Sequence, residues 1–155
     1  MPSGRLSRLC WGHFCRPGRA MTKEMPSVGQ LKKLAKAASE NAYSPYSNLK
    51  VGAVVVDDRG RTYSGCNLES ASYGLTQCAE RNALGAAIAA GVKPGQLHTL
   101  LVYAHGFDAL SPCGACRQVM SELLVRDATV ISCGNDDVIQ NWRMSQLFPD
   151  PFILE

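Results

Sequence analysis

Two cysteine-bearing helix starts, 35 residues apart, constrain this chain more than any other feature of its sequence. Cys78 opens the alanine-rich stretch CAERNALGAAIAAG, and Cys113 opens PCGACRQVMSELLV. The apolar run LHTLLVYA between them predicts one buried strand. A helix–strand–helix unit brings both helix starts to the same edge of a sheet. The sequence therefore predicts that Cys78 and Cys113 lie side by side.

Cys116 extends this pair into a candidate metal site, because Cys113 and Cys116 fall on one face of the first helical turn. Such a pair serves as a redox couple, as half of a structural zinc knuckle, or as half of a catalytic site. Together with Cys78 it supplies three thiolates and leaves a fourth position open, which is typical of catalytic zinc. Cys66 and Cys133, near the ends of predicted strands, remain alternatives as a fourth ligand or as small buried apolar residues.

Two charged residues follow Cys78 in the first turn of the same predicted helix. The carboxylate of Glu80 is placed to reach a water on the open metal position, which favours catalysis over a structural knuckle. The alternative is an acidic residue that only stabilises the helix N-terminus. Three thiolates leave a zinc site with a net negative charge, so we expect helix N-termini and the guanidinium of Arg81 to offset it. The alternative for Arg81 is a solvated helix charge.

The rest of the pattern predicts an α/β fold, a three-layer α/β/α sandwich with a mixed sheet of about five strands. Ser27 is a plausible N-cap for an amphipathic first helix. Its predicted apolar face carries Val28, Leu31, Leu34, Ala35 and Ala38. LKVGAVVVDDRGRTYSGCNL is typical of a hairpin that turns at residues 57–60. ATVISC predicts the next strand, and the C-terminal segment a weak strand, a short helical turn and an extended end.

The first 20 residues carry four arginines and no acid, whereas the remainder has a charge of −1. A basic surface for nucleic acid is therefore not expected in the folded part, and no apolar stretch reaches the roughly 18 residues of a membrane span. Residues 1–20 are predicted to be a disordered extension or a non-native one that precedes a true start at Met21; a transit-like peptide is the alternative. Residues 21–155 are expected to form a single catalytic domain. Seven cysteines without a secretion signal favour a reducing compartment, the cytoplasm.

The joint motifs of this sequence resemble the zinc-dependent cytidine deaminases of the small homotetrameric type. The resemblance rests on YSPYSNLKVGAVV, GCNLESASYGLTQCAERNAL and SPCGACRQVM, and it runs from about residue 27 to the C-terminus. It implies one zinc ion per chain, held by Cys78, Cys113 and Cys116. It also implies that Glu80 takes a proton from the metal-bound water, delivers it to N3 and helps the amino group to leave C4 as ammonia. The resemblance further implies that the products are uridine or deoxyuridine, in pyrimidine salvage, and that the assembly is a homotetramer with shared active sites.

The same resemblance implies which residues bind the substrate. Asn67 and Glu69 would hold the ribose, especially its 3′-hydroxyl, which makes the substrate a free nucleoside. An amide and a carboxylate two residues apart at a strand end point the same way and suit a sugar hydroxyl; a turn cap is the alternative. Ala71 and Tyr73 match positions that approach the ribose from a neighbouring subunit, although Tyr73 is equally consistent with interface packing.

Two positions of this sequence depart from the family pattern, and a third matches it near the C-terminus. Leu49 stands where the family has a phenylalanine that flanks the base, so an apolar contact is kept but an aromatic contact is lost. Ser70 replaces an asparagine. Phe152 matches a C-terminal phenylalanine that packs near a neighbour's active site.

Other functions remain open on the sequence alone. A deaminase of a modified cytosine nucleoside such as blasticidin S shares the C-A-E and P-C-x-x-C motifs, but lacks the N-x-E pattern of Asn67 and Glu69. A zinc-stabilised interaction module without catalysis is a second alternative. A nucleic-acid editor is a third, supported only by the basic first 20 residues.

Overall fold

The computed structural model of the chain describes residues 24–136 and 138–154, so the predictions for residues 1–20 lie outside the described residues. The described helices are α1 (Val28–Glu40), α2 (Ala79–Ala89), α3 (Gly114–Leu123) and α4 (Met144–Leu147), with a 3-10 turn at Tyr73–Leu75. The strands are β1 (Val51–Asp57), β2 (Thr62–Cys66), β3 (Leu97–Ala104), β4 (Leu124–Cys133) and β5 (Ile139–Arg143). None of these helices combines the length and the apolar character that crossing a bilayer requires.

The five strands form one mixed sheet in the order β2-β1-β3-β4-β5. β1 is antiparallel to both β2 and β3, β3 is parallel to β4, and β5 is antiparallel to β4. Helix α1 packs on one face, while α2, α3 and α4 contribute to the core on the other. The predicted three-layer α/β/α sandwich with a mixed five-stranded sheet is confirmed.

The apolar sequence of β1 explains how one strand supports both layers. Ala53 and Val55 face the core beneath α2 and α3, whereas Val54 and Val56 face α1. All four are at most 1% exposed. Burying each valine contributes about 1.5–3 kcal/mol, so this strand stabilises the core on both faces of the sheet. A continuous apolar run of this kind is typical of a strand that is covered on both faces.

Helix α1 begins as predicted, but the face that it buries is narrower than the predicted apolar face. The Ser27 hydroxyl accepts a hydrogen bond from the Gln30 backbone N–H at 3.3 Å, and the Gln30 side chain accepts one from Ser27 N–H, which forms a capping box. Val28 and Leu34, predicted on the apolar face, are 39% and 40% exposed. The buried positions are Leu31, Ala35 and Ser39. A Cβ on Gly52 of β1 would lie 1.9 Å from the Ala35 carbonyl oxygen, so α1 meets the sheet in backbone contact along one narrow line.

Helix α2 lies equally close to the edge strand β2, and this contact positions its first turn. A Cβ on Gly65 would lie 2.3 Å from the Ala83 backbone nitrogen and 2.7 Å from the Ala79 carbonyl oxygen. The Asn82 side-chain amide donates a hydrogen bond to the Cys66 carbonyl oxygen at 2.8 Å. Small residues on both surfaces allow this approach, so the start of α2 is held against the end of β2.

Strand β4 differs from its prediction at the N-terminal end. It begins at Leu124, directly after α3, whereas ATVISC predicts a start at Ala128. Leu124 pairs with Leu97, and regular pairing with β3 resumes only at Thr129, opposite Thr99. The early start therefore comes from pairing with β3 rather than from local apolar pattern.

Candidate active site

Three cysteine sulfurs converge where β3 ends. Cys78 is the N-cap of α2, Cys113 is the N-cap of α3, and Cys116 lies in the first turn of α3. Helix α2 runs back towards the start of β3, and α3 begins after the strand has ended, so both helix starts lie at the carboxyl edge of β3. The structure brings together the three cysteines that the sequence predicted to meet.

The spacing of the sulfurs fits a tetrahedral zinc ion. The three sulfur atoms all lie within 4.8 Å of one another, and the Cys78 and Cys113 sulfurs are 4.0 Å apart. Zinc–sulfur bonds of about 2.3 Å in tetrahedral geometry separate two ligands by about 3.8 Å. Cys116 is fully buried, Cys78 is half-buried and Cys113 is exposed. One side of the cluster is therefore accessible to solvent, as an open coordination position requires.

Cys66 and Cys133, the alternative fourth ligands, lie outside this cluster. The Cys133 thiol donates to the Val102 carbonyl oxygen at 3.6 Å, and Cys133 belongs to the core under α1. Cys66 lines a shallow hollow together with Leu34 and Ala38 of α1. Both therefore lie towards the opposite face of the sheet. Within residues 24–136 and 138–154, the metal-binding group consists of the three predicted cysteines alone.

Hydrogen bonds within the cluster shift the pKa values of the Cys78 and Cys116 thiols in opposite directions. The hydrogen bond from Cys116 lowers the pKa of Cys78 despite burial, and a hydrogen bond from Arg81 lowers it further. The same contact with Cys78, together with burial and the nearby Glu80 carboxylate, raises the pKa of Cys116. The cluster therefore holds one thiolate readily and resists further loss of protons until a cation compensates the charge.

Arg81 lies where the predicted contact with a thiolate requires it. Its Nη2 atom donates to the Thr76 carbonyl oxygen at 2.9 Å and to the Cys78 sulfur at 3.7 Å. Its Nε atom is buried and has no hydrogen-bond partner among the described residues. The guanidinium is thus held against the cluster rather than solvated, although its effect on a bound metal stays a prediction.

Glu80 faces the interior of the site instead of capping the helix in solvent. It lies in the first turn of α2 and is 6% exposed. Burial raises the pKa of Glu80, and the charge of Cys78 adds to this effect, whereas contact with the Cys116 thiol lowers it. A carboxyl group beside the sulfurs and away from bulk water is suited to exchange protons with a small molecule on the open side.

A separate feature is a cavity of about 240 Å³ whose lining includes neither the three cysteines nor Glu80. It is lined by residues of two loops, Tyr46, Ser47, Glu69, Ser70, Tyr73 and Thr76. Thr76 connects the two features, because its carbonyl oxygen accepts the hydrogen bond from Arg81. The cavity is therefore connected to the cluster through Thr76 and Arg81, and Arg81 also contacts the Cys78 sulfur.

Asn67 is more buried than its predicted role in ribose binding suggests, at 8% exposed. Its Oδ1 accepts a hydrogen bond from Val51 N–H and its Nδ2 donates to the Leu49 carbonyl oxygen, each at 2.9 Å. Asn67 thus holds the segment that carries the half-buried Leu49. Each of its amide groups has one further hydrogen-bonding position, and contact with a ribose stays a prediction.

Unlike Asn67, Glu69 is part of the lining of the 240 Å³ cavity. The hydrogen bond from the Ser47 hydroxyl lowers the pKa of Glu69, and backbone N–H groups of Tyr46 and Ser47 lower it further, against the effect of burial. The group is therefore an ionised acceptor at neutral pH. This geometry suits a sugar hydroxyl, and the pairing with ribose is still a prediction.

The remaining predicted residues lie on the surface of the single chain. Ala71 is exposed, and Tyr73 is 79% exposed with its ring edge-on to Tyr46 at 6.4 Å between centroids. Phe152 is 71% exposed and exchanges backbone hydrogen bonds with the Gln118 side chain at 2.8 and 3.2 Å. Phe152 also lines a larger cavity of about 530 Å³ between α3 and the C-terminal segment, which includes none of the three cysteines. Roles in a neighbour's site stay predictions for these residues.

Comparison with known proteins places this geometry in a family. The sequence profile of the cytidine and deoxycytidylate deaminase zinc-binding region matches residues 25–132, which include the three cysteines and Glu80. The chain belongs to this family. Zinc is accordingly its cofactor, and the three-thiol cluster is the group able to bind it.

Individual members of the cytidine deaminase family align over most of the chain. A cytidine deaminase of Halalkalibacterium halodurans is 42% identical over 125 residues, 81% of this chain and 93% of its own. One from Mycobacterium tuberculosis is 40% identical over 139 residues, 84% of this chain and 95% of its own. The crystal structure of cytidine deaminase from Burkholderia pseudomallei matches with a TM-score of 0.79 and 44% identity, covering 82% of this chain and 100% of the other.

Arg117 is a structural residue of this deaminase site that the sequence analysis missed. Its Nε donates to the Pro112 carbonyl oxygen at 2.8 Å, its Nη2 to the Ser111 hydroxyl at 2.7 Å, and its Nη1 to the Leu147 carbonyl oxygen at 3.0 Å. It thereby ties α4 to the loop just before Cys113. An arginine in the first turn of a helix is unfavourable for the helix dipole, and this was the available signal.

Proposed function

We propose that this chain catalyses the zinc-dependent hydrolytic deamination of cytidine and deoxycytidine, which yields uridine or deoxyuridine and ammonia. The observation that carries the proposal is the cluster of Cys78, Cys113 and Cys116 with one open side and the buried carboxyl of Glu80 beside it. In a structural zinc site, protein ligands occupy all four coordination positions, so an adjacent carboxyl group has no metal-bound water to act on. The family and the cytidine deaminases that align with the chain support cytidine as the substrate.

In the proposed reaction, Glu80 carries out the proton transfers. When bound by the three cysteines, zinc supplies a Lewis acid that makes a water molecule acidic near neutral pH. Glu80 accepts one proton from the attacking water and passes it to N3 of the pyrimidine, and it then carries the remaining proton of the new C4 hydroxyl group to the amino nitrogen. The C4–O bond forms, the C4–N bond breaks, and cytidine and water become uridine and ammonia. Because Glu80 is 6% exposed, it exchanges these protons with substrate rather than with bulk solvent.

The loops around the 240 Å³ cavity are proposed to bind the nucleoside. Glu69 offers an ionised acceptor to a ribose hydroxyl, and Asn67 is assigned the neighbouring contact while it holds the Leu49 segment in place. Leu49 is proposed to flank the base with an apolar surface. A free sugar hydroxyl is then part of the recognised structure, so the substrate is a nucleoside and not a polynucleotide. This supports a role in pyrimidine salvage, in a cytoplasm that keeps the five described cysteines reduced.

The assembly is proposed to be a homotetramer in which neighbouring chains complete each site. Large apolar side chains near the cavities are exposed in the single chain, including Tyr73 at 79%, Leu75 at 65% and Phe152 at 71%. Exposed apolar surface of this kind marks protein interfaces. Sedimentation of the purified protein is expected to give the mass of four chains. Full turnover by a monomer would contradict the sharing of sites.

Two alternative functions make different predictions. A deaminase of blasticidin S would turn over that compound faster than cytidine, although Asn67 and Glu69 favour a ribose. A non-catalytic zinc module would bind the metal and leave every nucleoside unchanged. The placement of Glu80 inside the site favours an enzyme over such a module.

Ultraviolet spectroscopy of cytidine incubated with the purified chain tests the function directly. We expect conversion to uridine with a kcat of about 1–10³ s⁻¹, as for typical enzymes, together with about one zinc ion per chain. Blasticidin S in a parallel reaction is expected to be turned over at least about tenfold more slowly, because it lacks the free ribose. Bound zinc without turnover of either compound would favour the interaction module. Absence of zinc would favour a redox pair at Cys113 and Cys116.

A further inference from the structure

The loop between α1 and β1 suggests a role for a residue outside the predicted set. We propose that Ser47 is a positioning residue that fixes the carboxylate of Glu69 so that one acceptor position remains for one hydroxyl of the sugar. The inference deepens the proposed function and rests on it, because it concerns how the same cavity selects its nucleoside.

The hydrogen bonds around Ser47 have a defined direction. The Leu49 backbone N–H donates to the Ser47 hydroxyl oxygen at 3.0 Å, so that oxygen acts as an acceptor on one side. Its own proton is then directed to Glu69 Oε1, to which the hydroxyl donates a hydrogen bond. The hydroxyl therefore links the segment that carries Leu49 to the carboxylate of Glu69.

The backbone of the same loop holds the second carboxylate oxygen. Glu69 Oε2 accepts hydrogen bonds from Tyr46 N–H at 2.9 Å and from Ser47 N–H at 3.2 Å. Asn48, the next residue, has φ of 57°, and its N–H donates to the Ser44 carbonyl oxygen at 3.0 Å. Asparagine tolerates this left-handed conformation better than most residues. The turn thus directs two consecutive N–H groups and one hydroxyl at a single carboxylate.

The number of free acceptor positions on the Glu69 carboxylate determines which group of a ligand it can bind. An ionised carboxylate has about four lone-pair positions for hydrogen bonds. The turn fills three of them, and Glu69 lines the cavity, which leaves about one position for a ligand. A fixed anionic acceptor recognises a hydroxyl donor and repels a phosphate on the same oxygen. The expected ligand is therefore a nucleoside with a free sugar hydroxyl at this point.

Steady-state kinetics on two substrates test this role. The variants are Ser47→Ala, Ser47→Thr and, as a matched control, Ser64→Ala on the exposed edge strand β2. The substrates are cytidine and 2′,3′-dideoxycytidine, which retains the base and the 5′-hydroxyl but lacks the 2′- and 3′-hydroxyls. Loss of one hydrogen bond to a charged group predicts that Ser47→Ala raises KM for cytidine about tenfold. We expect kcat to stay within about twofold, since the reacting atoms are untouched.

The second substrate separates positioning from a general structural effect. If Ser47 acts through Glu69, Ser47→Ala and the wild type should differ by less than about twofold on dideoxycytidine, because the hydroxyl partner is already missing. Ser47→Thr should restore most of the cytidine KM, and Ser64→Ala should match the wild type. Equal losses on both substrates, or an unchanged cytidine KM, would overturn the proposal. Failure of the proposed function has a different signature, since the wild type would then convert neither nucleoside.

Discussion

Glu80→Gln is expected to lower kcat for cytidine by about 10⁴-fold, the upper end of the range for general acid–base catalysis. The amide has the same size as the carboxyl group but cannot shuttle protons from water to N3 and to the leaving nitrogen. Because Glu80 is 6% exposed, solvent has little access to replace it. Single-turnover kinetics with excess enzyme measure the loss directly.

The metal content of Glu80→Gln separates catalysis from a structural role. The three sulfur ligands are unchanged, so we expect about one zinc ion per chain, as in the wild type. Glu40→Gln, at the exposed end of α1 on the opposite face of the sheet, is the matched control and should keep full activity. More than about a tenth of wild-type turnover in Glu80→Gln would remove the carboxyl from the proposed mechanism.

Cys116→Ser is expected to abolish both zinc retention and turnover. Cys116 is fully buried in the first turn of α3, with its sulfur close to that of Cys78, and a neutral hydroxyl is a far weaker zinc ligand than a thiolate. After dialysis against a chelator, zinc should fall from about one ion per chain to near zero, and kcat/KM by at least about 10³-fold. The rise in Tm on adding zinc, which mass action predicts for the wild type, should disappear.

Cys66→Ser is the matched control for this change. It makes the same substitution at a half-buried cysteine that lines a hollow under α1, on the other face of the sheet. Zinc content and turnover should therefore equal those of the wild type. Loss of zinc from Cys66→Ser would show that the site has a fourth sulfur ligand and would contradict an open, catalytic metal position.

The arrangement of the cysteines and Glu80 could be predicted from the sequence because these groups are local, whereas their catalytic roles stay a prediction. Cys113 and Cys116 share a helical turn, and Cys78 and Glu80 share another, so regular helix geometry determines how each pair is arranged. The intervening strand Leu97–Ala104 has the bounds that its apolar run predicts. One strand between two helices then brings both pairs to one sheet edge.

The contacts that complete the site were not accessible in this way. Asn67 binds the backbone at Leu49 and Val51, and Ser47 binds Glu69 22 residues away along the chain. These positions lie in two separate sequence motifs, and no helical or strand periodicity relates one motif to the other. Their distances depend on how the loop after α1 folds over the end of β2.

The sequence by itself determined the fold class, the starts of α2 and α3 and the composition of the sulfur cluster, because these follow from helical periodicity, caps and the alternation of elements. Only the tertiary structure decided the sheet order, the narrow buried face of α1 and the placement of Cys66 and Cys133 towards the other layer. The physical reason is that local propensities act over one or two turns, whereas these features depend on backbone contacts such as those at Gly52 and Gly65, which form only when the helices pack on the completed sheet.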